Sequence, residues 1–192
     1  MKSCSTNLDA FEYNEEDGKI ILTGLKDKSL TEIVIPDGIT EIGSWAFYEC
    51  SSLKSIEIPD SVTEIGGFAF SSCRNLKSIK LPNSVTEIGD RAFLGCDNLE
   101  SIKIPDSVTV MGDDAFCGCS SLTSAEIHGS VIGQGAFCDC INLTSVKIYG
   151  SITEIGNYAF TGCDNLTSIE IHNPNTKIPE NAFDDSIEII YV

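Results

Sequence analysis

Nine cysteines hold most of this chain's capacity for chemistry. Six of them fall in one column, Cys50, Cys73, Cys96, Cys119, Cys140 and Cys163, each three residues after a Phe. A column that regular is what a core position produces: small thiols packed under an aromatic ring. In-register parallel side chains seldom present the dihedral a disulfide needs, so the column is expected to stay reduced. It therefore says little about an oxidising compartment. Cys117 and Cys138 differ. They stand one residue after the Phe, where other copies carry Tyr48, Ser71, Leu94, Thr161 and Asp184. That variable column is expected to be partly exposed, and the two cysteines fall in adjacent repeats. A disulfide between them and a pair of free thiols are both open. With Cys119 and Cys140 they also form two Cys-x-Cys pairs, which raises zinc. Tetrahedral zinc needs four converging sulfurs, and the second Cys of each pair belongs to the inward column. No metal site is expected.

Other chemistry is thinner still. His128 and His172 lie two repeats apart, about 10 Å by strand spacing, too far for a nucleophile and its base. Asp37, Asp60, Asn83 and Asp106 form a column of oxygens, but no dense Asp/Gly loop of the kind calcium requires surrounds them. Capping of a turn is the expected role. The run His128-Gly129-Ser130-Val131-Ile132-Gly133-Gln134-Gly135 has no phosphate-binding Lys. The chain is therefore expected to have no catalytic residue and no cofactor.

All these residues are positioned by one repeated unit. Ala-Phe ends at Phe47, Phe70, Phe93, Phe116, Phe137, Phe160 and Phe183, at intervals of 23, 23, 23, 21, 23 and 23. Leu30, Leu53, Leu76, Leu99, Leu122, Leu143 and Leu166 run in step. In Leu53-Lys54-Ser55-Ile56-Glu57-Ile58-Pro59 the alternation has the period of a strand, which Pro59 closes. After a turn, Val62-Thr63-Glu64-Ile65 reads as a second extended piece ending at Gly66. Glycine recurs there as Gly43, Gly89, Gly112, Gly133 and Gly156, consistent with a bend at positive φ. Phe70 and Cys73, three apart, suit one short helical turn.

No single unit can bury its own Leu, Ile, Phe and Cys; stacking does so. The predicted fold is a repeat solenoid, a curved right-handed superhelix with parallel strands on one face and short strands or helical turns on the other. Residues 1–29 are expected to form a β-hairpin cap, with Phe11–Tyr13 and Lys19–Thr23 flanking a polar loop. Residues 30–186 hold the seven repeats, the fifth shortened to 21 residues and expected to be kinked or pinched. Residues 187–192 read as a capping strand whose free edge is expected to be paired or continued.

The unit Leu-x-x-Ile-x-Ile-Pro-x-Ser-Val-Thr-x-Ile-Gly-x-x-Ala-Phe-x-x-Cys resembles the leucine-rich repeat of the BspA-like family, over about residues 30 to 183. The resemblance implies a leucine-rich-repeat solenoid without catalytic residues. It also implies a cell-surface or secreted location and adhesion to protein partners, host matrix glycoproteins among them. Residues 1–28 contain no apolar run as long as an export signal or a membrane span, the longest being Ile20-Ile21-Leu22. Cys4 has no such run before it, and reads as incidental rather than acylated.

The 192 residues carry 29 acidic and 12 basic side chains, a net charge of −17, with 42% hydrophobic residues. That balance opposes binding to nucleic acid or anionic lipid, and membrane insertion is not expected. The candidate partner surface is the outward strand face. It carries Lys54, Glu57, Lys77, Lys80, Glu100, Lys103, Glu126, Lys147 and Glu170, expected to make a flat, continuous, nearly neutral surface. Trp45, Phe68 and Tyr158 share one column and form a second candidate surface. The function expected is a non-enzymatic protein-interaction or adhesion module. The alternative is a structural spacer within a larger surface protein.

Overall fold

A computed structural model describes residues 8–129, 131–150 and 152–192. After a 3-10 turn at Leu8–Ala10, β1 (Phe11–Glu16) and β2 (Lys19–Leu25) form an antiparallel hairpin. The polar loop is shorter than its composition suggests. β1 runs through Asn14, Glu15 and Glu16, and only Asp17 and Gly18 turn, at φ of 50° and 77°. Asp-Gly is the pair that tolerates two left-handed residues in succession, and it makes the tight hairpin.

Seven coils follow. Their front strands are β3 (Glu32–Val34), β5 (Ser55–Glu57), β7 (Ser78–Ile79), β9 (Ser101–Ile104), β11 (Ser124–Ile127), β13 (Ser145–Ile148) and β15 (Ser168–Ile171), with β16 (Glu188–Tyr191) added after the seventh. The back strands are β4 (Glu41–Ile42), β6 (Glu64–Ile65), β8 (Glu87–Ile88), β10 (Val110–Met111), β12 (Val131–Ile132) and β14 (Glu154–Ile155). Every coil-to-coil pairing is parallel, and like residues pair with like, Ile33 with Ile56 and Ile56 with Ile79. The hairpin enters the back sheet through β2 and β4, so Phe11, Leu22 and Leu25 cover the first coil's apolar end. The molecule is a β-solenoid.

Inside, the columns stack as ladders. The Phe rings of successive coils lie parallel, with centroids 4.8–5.3 Å apart from Phe47 to Phe183. The Leu and Cys columns from the first full coil onward are buried with them. A further ladder joins the coils at Ala-Phe: Phe47 N–H donates to the Ala69 carbonyl at 2.7 Å, and Phe70 to Ala92 at 2.7 Å. The small, buried Ala leaves room for the two backbones to approach.

Two expectations about this segment are corrected. The Phe-to-Cys stretch is not helical, although Cys73 N–H does bond to Phe70 C=O at 3.1 Å. Two left-handed columns interrupt each coil: Trp45, Phe68, Arg91, Asp114, Gly135 and Tyr158, then Glu49, Ser72, Gly95, Gly118, Asp139 and Gly162. A left-handed residue every fourth position prevents a second helical turn. Conversely, the glycines after the back strands are not at positive φ. They are required by crowding: a Cβ on Gly89 would lie 2.6 Å from the Gly67 nitrogen.

Both sheets are interrupted. The front strands divide between β7 and β9, and the back strands between β10 and β12. The second break sits at the short fifth coil. There the deletion removes the Thr that elsewhere continues the Thr40–Thr63–Thr86–Thr109 backbone ladder.

Candidate partner-binding face

Proline explains the front break. In coils five, six and seven the residue after the last strand Ile is His128, Tyr149 or His172. Its amide donates to the strand Ile carbonyl one coil back (Ile104, Ile127 and Ile148) at 2.9–3.0 Å. In coils one to four that residue is Pro36, Pro59, Pro82 or Pro105, which has no N–H to give. The strands of the first three coils accordingly span two or three residues and those of the next four span four. Lys80 and Leu81 fall outside the ladder. The face is therefore not continuous, as the residue pattern suggested: β5 and β7 stay paired through Ser55–Ser78 and Ile56–Ile79, and the break falls between β7 and β9.

Two concavities of about 370 Å³ each flank the third coil. One is lined by Ile56, Glu57, Ile58, Asp60, Lys80 and Pro82. The other is lined by residues of coils three and four, among them Ser78, Lys80, Leu81, Ser101, Lys103 and Pro105. Lys54, Glu57, Lys77, Lys80, Glu100 and Lys103 are all exposed there. Further along the solenoid, Glu126, Lys147 and Glu170 are half-buried by their neighbours. Lys147 Nζ lies 3.1 Å from Glu170, whose carboxylate, as hydrogen-bond acceptor and neighbouring charge, holds the ammonium above the usual lysine range. Lys103 reaches Glu126 at 3.5 Å. Among the described residues, Lys54, Lys77 and Lys80 have no carboxylate in ion-pair range.

The histidines become part of a stack. The Tyr149 ring lies between them, 3.9 Å from His128 and 4.8 Å from His172 by centroid, nearly parallel to both. Tyr149 occupies the same column as the two histidines and bridges them. His128 Nδ1 also sits 3.6 Å from Asp106. The other members of that Asp column do not cap the turn. Backbone bonds close it instead, Val62 N–H to Pro59 C=O at 3.1 Å being one.

The cysteine column is occupied by free thiols. Each one from Cys73 onward donates to the Phe carbonyl of the preceding coil, as Cys73 does to Phe47 at 3.1 Å. Burial pushes the Cys50 thiol up to about 11 and Cys163 to about 12, and raises the four between them well above the ordinary value. A thiol held protonated is not a nucleophile. Cys117 and Cys138 are joined as a disulfide, with Cα atoms 4.6 Å apart. It ties coil four to coil five, where the back sheet breaks. Asp114 approaches both sulfurs. Bonded sulfurs are not thiolate ligands, however, and Arg91 holds that carboxylate at 3.0 Å. These residues do not fit a metal ion. Cys4 lies outside the described residues.

The aromatic column is divided. Trp45 and Phe68 stack at 4.1 Å, with Arg91 over the far side of Phe68 at 5.6 Å. Tyr158 stands three coils beyond Arg91 and joins none of them. No helix among the described residues is long and apolar enough to cross a membrane.

A family comparison matches residues 23–132 and 129–192 to the BspA type leucine rich repeat region, in six copies. No curated protein matches the sequence. Among solved structures, a leucine-rich repeat protein of T. pallidum is similar over 91% of both chains, with 32% identity and a TM-score of 0.81. One from Bacteroides ovatus is similar at 28% identity and a TM-score of 0.60, over 94% of this chain and 66% of its own. The pneumococcal vaccine antigen PcpA shares the fold at 23% identity and a TM-score of 0.70, and this chain spans about half of it, 47%. The parallel coils, the Leu, Phe and Cys ladders and these matches agree: the chain belongs to the BspA-type leucine-rich repeat family.

Proposed function

We propose that this chain is a non-enzymatic protein-interaction module that serves adhesion at a cell surface or in secreted form, and that its partner surface is the front strand face. The observation that carries this reading is the opened face of coils two to four. Exposed Lys54, Lys77 and Lys80 stand there without a carboxylate in ion-pair range, beside two concavities, in a protein whose net charge is −17. Repeat proteins use extended strand faces to hold partners because many small contacts add along a rigid surface. Host matrix glycoproteins are the partner class the family resemblance suggests.

The test is saturable binding of the chain to immobilised fibronectin and fibrinogen, with albumin as control, for the parent and for a Lys80→Glu/Lys103→Glu variant. Binding that the variant loses supports an adhesive module using this face. Binding that the variant keeps moves the contact to the Trp45–Phe68 surface. Absence of saturable binding to either glycoprotein favours a spacer.

A further inference from the structure

We propose that the front face at coils two to four takes an extended acidic segment of a protein partner, with one carboxylate seated between Lys80 and Lys103. This rests on the front face being the partner surface and names the chemistry of what it holds.

Charge is the first argument. The strand positions of coils two to four present four lysines (Lys54, Lys77, Lys80 and Lys103) and two glutamates (Glu57 and Glu100), with Asp60 at the rim of one hollow and Lys103 3.5 Å from Glu126. Coils five to seven present Glu126, Lys147 and Glu170, and there the lysine is engaged at 3.1 Å. A local excess of positive charge within a strongly acidic chain selects an acidic partner locally and repels acidic surfaces elsewhere.

Shape is the second. The concavity between coils three and four is lined by Lys80 and Lys103, by Ser78 and Ser101, and by the apolar Leu81 and Pro105. Ammonium and hydroxyl donors converging on one hollow suit a carboxylate, whose bonds to charged donors are the strong ones. The neighbouring hollow, lined by Ile56, Ile58 and Pro82 together with Glu57, Asp60 and Lys80, takes an adjacent side chain of the same segment. The hollow between coils three and four lies where β7 and β9 are unpaired. A sulfated glycan offers anions too, but the long-range field of a −17 protein opposes a polyanion that extends past the patch.

The test uses a fluorescein-labelled twelve-residue peptide of alternating Glu and Thr, its Gln-Thr counterpart and a heparin hexasaccharide, with binding read by fluorescence anisotropy. The Glu peptide is expected to bind saturably and the Gln peptide at least tenfold more weakly. Lys80→Gln and Lys103→Gln should each lower affinity about threefold to tenfold, and Lys147→Gln should leave it unchanged. Thermal melts confirm that these exposed substitutions leave the fold intact. Equal binding of the two peptides, or no binding of either, overturns the proposal, as does heparin binding without peptide binding. Matrix-glycoprotein binding that survives both lysine substitutions overturns the acidic-segment site while the interaction-module reading stands. Loss of all saturable binding by the parent removes both.

Discussion

Coils one to four end their front strands in proline, and coils five to seven end theirs in His128, Tyr149 and His172. The two halves share every core ladder, yet their surfaces differ. In the aromatic half each strand gains an amide bond and a ring stack, its ladder is unbroken from β9 to β16, and Lys147 is tied to Glu170. In the proline half the strands of the first three coils stop early, the sheet parts between β7 and β9, and Lys54, Lys77 and Lys80 stand free of carboxylates, whereas Lys103 reaches Glu126 at 3.5 Å. One column of residues, outside the core, thus decides which half of the face is closed and which can receive a partner.

The largest effect should not distinguish the halves, because the thiol column runs through both. Each buried Cys has a folded pKa above its unfolded value of about 9. Its contribution is therefore complete below pH 9 and is lost as pH rises toward the folded value, about 11 for Cys50 and about 12 for Cys163. Each deeply buried thiol should cost about 1.4 kcal/mol per pH unit in that window. Thermal melts from pH 8 to 11 should show Tm falling steeply above pH 9; a flat profile would mean that the thiols are not held as described.

The next effects test whether both halves share one tightly stacked backbone. Gly89→Ala places a Cβ 2.6 Å from the Gly67 nitrogen, and Gly156→Ala one 2.6 Å from the Gly133 carbonyl carbon. Each should cost about 3 kcal/mol in urea unfolding, and a large disparity would mean the halves pack differently. The Cys117–Cys138 clasp lies at their boundary and closes a loop of sequence separation 21. Cys117→Ser should cost about 3 kcal/mol under non-reducing conditions and abolish any response of Tm to dithiothreitol. A variant as stable as the parent would show that the boundary needs no covalent tie.

The sharpest exchange swaps the column itself. Tyr149→Pro deletes the bond to Ile127 and two ring stacks, and should cost about 2–3 kcal/mol. Pro82→His supplies an amide opposite Ile58 and should change stability by less than about 1 kcal/mol while lengthening β7. Circular dichroism melts and backbone amide shifts measure both. If Pro82→His leaves β7 unchanged, proline is not what shortens it.

Much of the solenoid was legible because a period of 23 residues forces like side chains into register: Phe47 above Phe70 follows from spacing alone. A hairpin near the start was likewise written in local composition, although its turn is the two residues Asp17-Gly18 and not the longer polar loop. The glycine column was read for the wrong cause, since close approach and positive φ call for the same residue and only coordinates separate them. The left-handed conformations of Trp45 and Phe68 carry no local signal, because bulky aromatics do not favour them. The division of the front face was visible in principle. Pro36, Pro59, Pro82 and Pro105 against His128, Tyr149 and His172 is a difference in hydrogen-bond donors. It goes unnoticed when proline is read only as the end of a strand, rather than as a lost bond to the coil beneath.

The central claim is that the proline column leaves the front face open at the third coil and closed beyond the fourth. Residue-resolved hydrogen–deuterium exchange of the native chain tests it most directly. The amides of Lys80 and Leu81 should exchange as fast as those of exposed turns, whereas those of Lys147, Ile148 and Tyr149 should be protected by orders of magnitude. Equal protection along both halves would contradict the account.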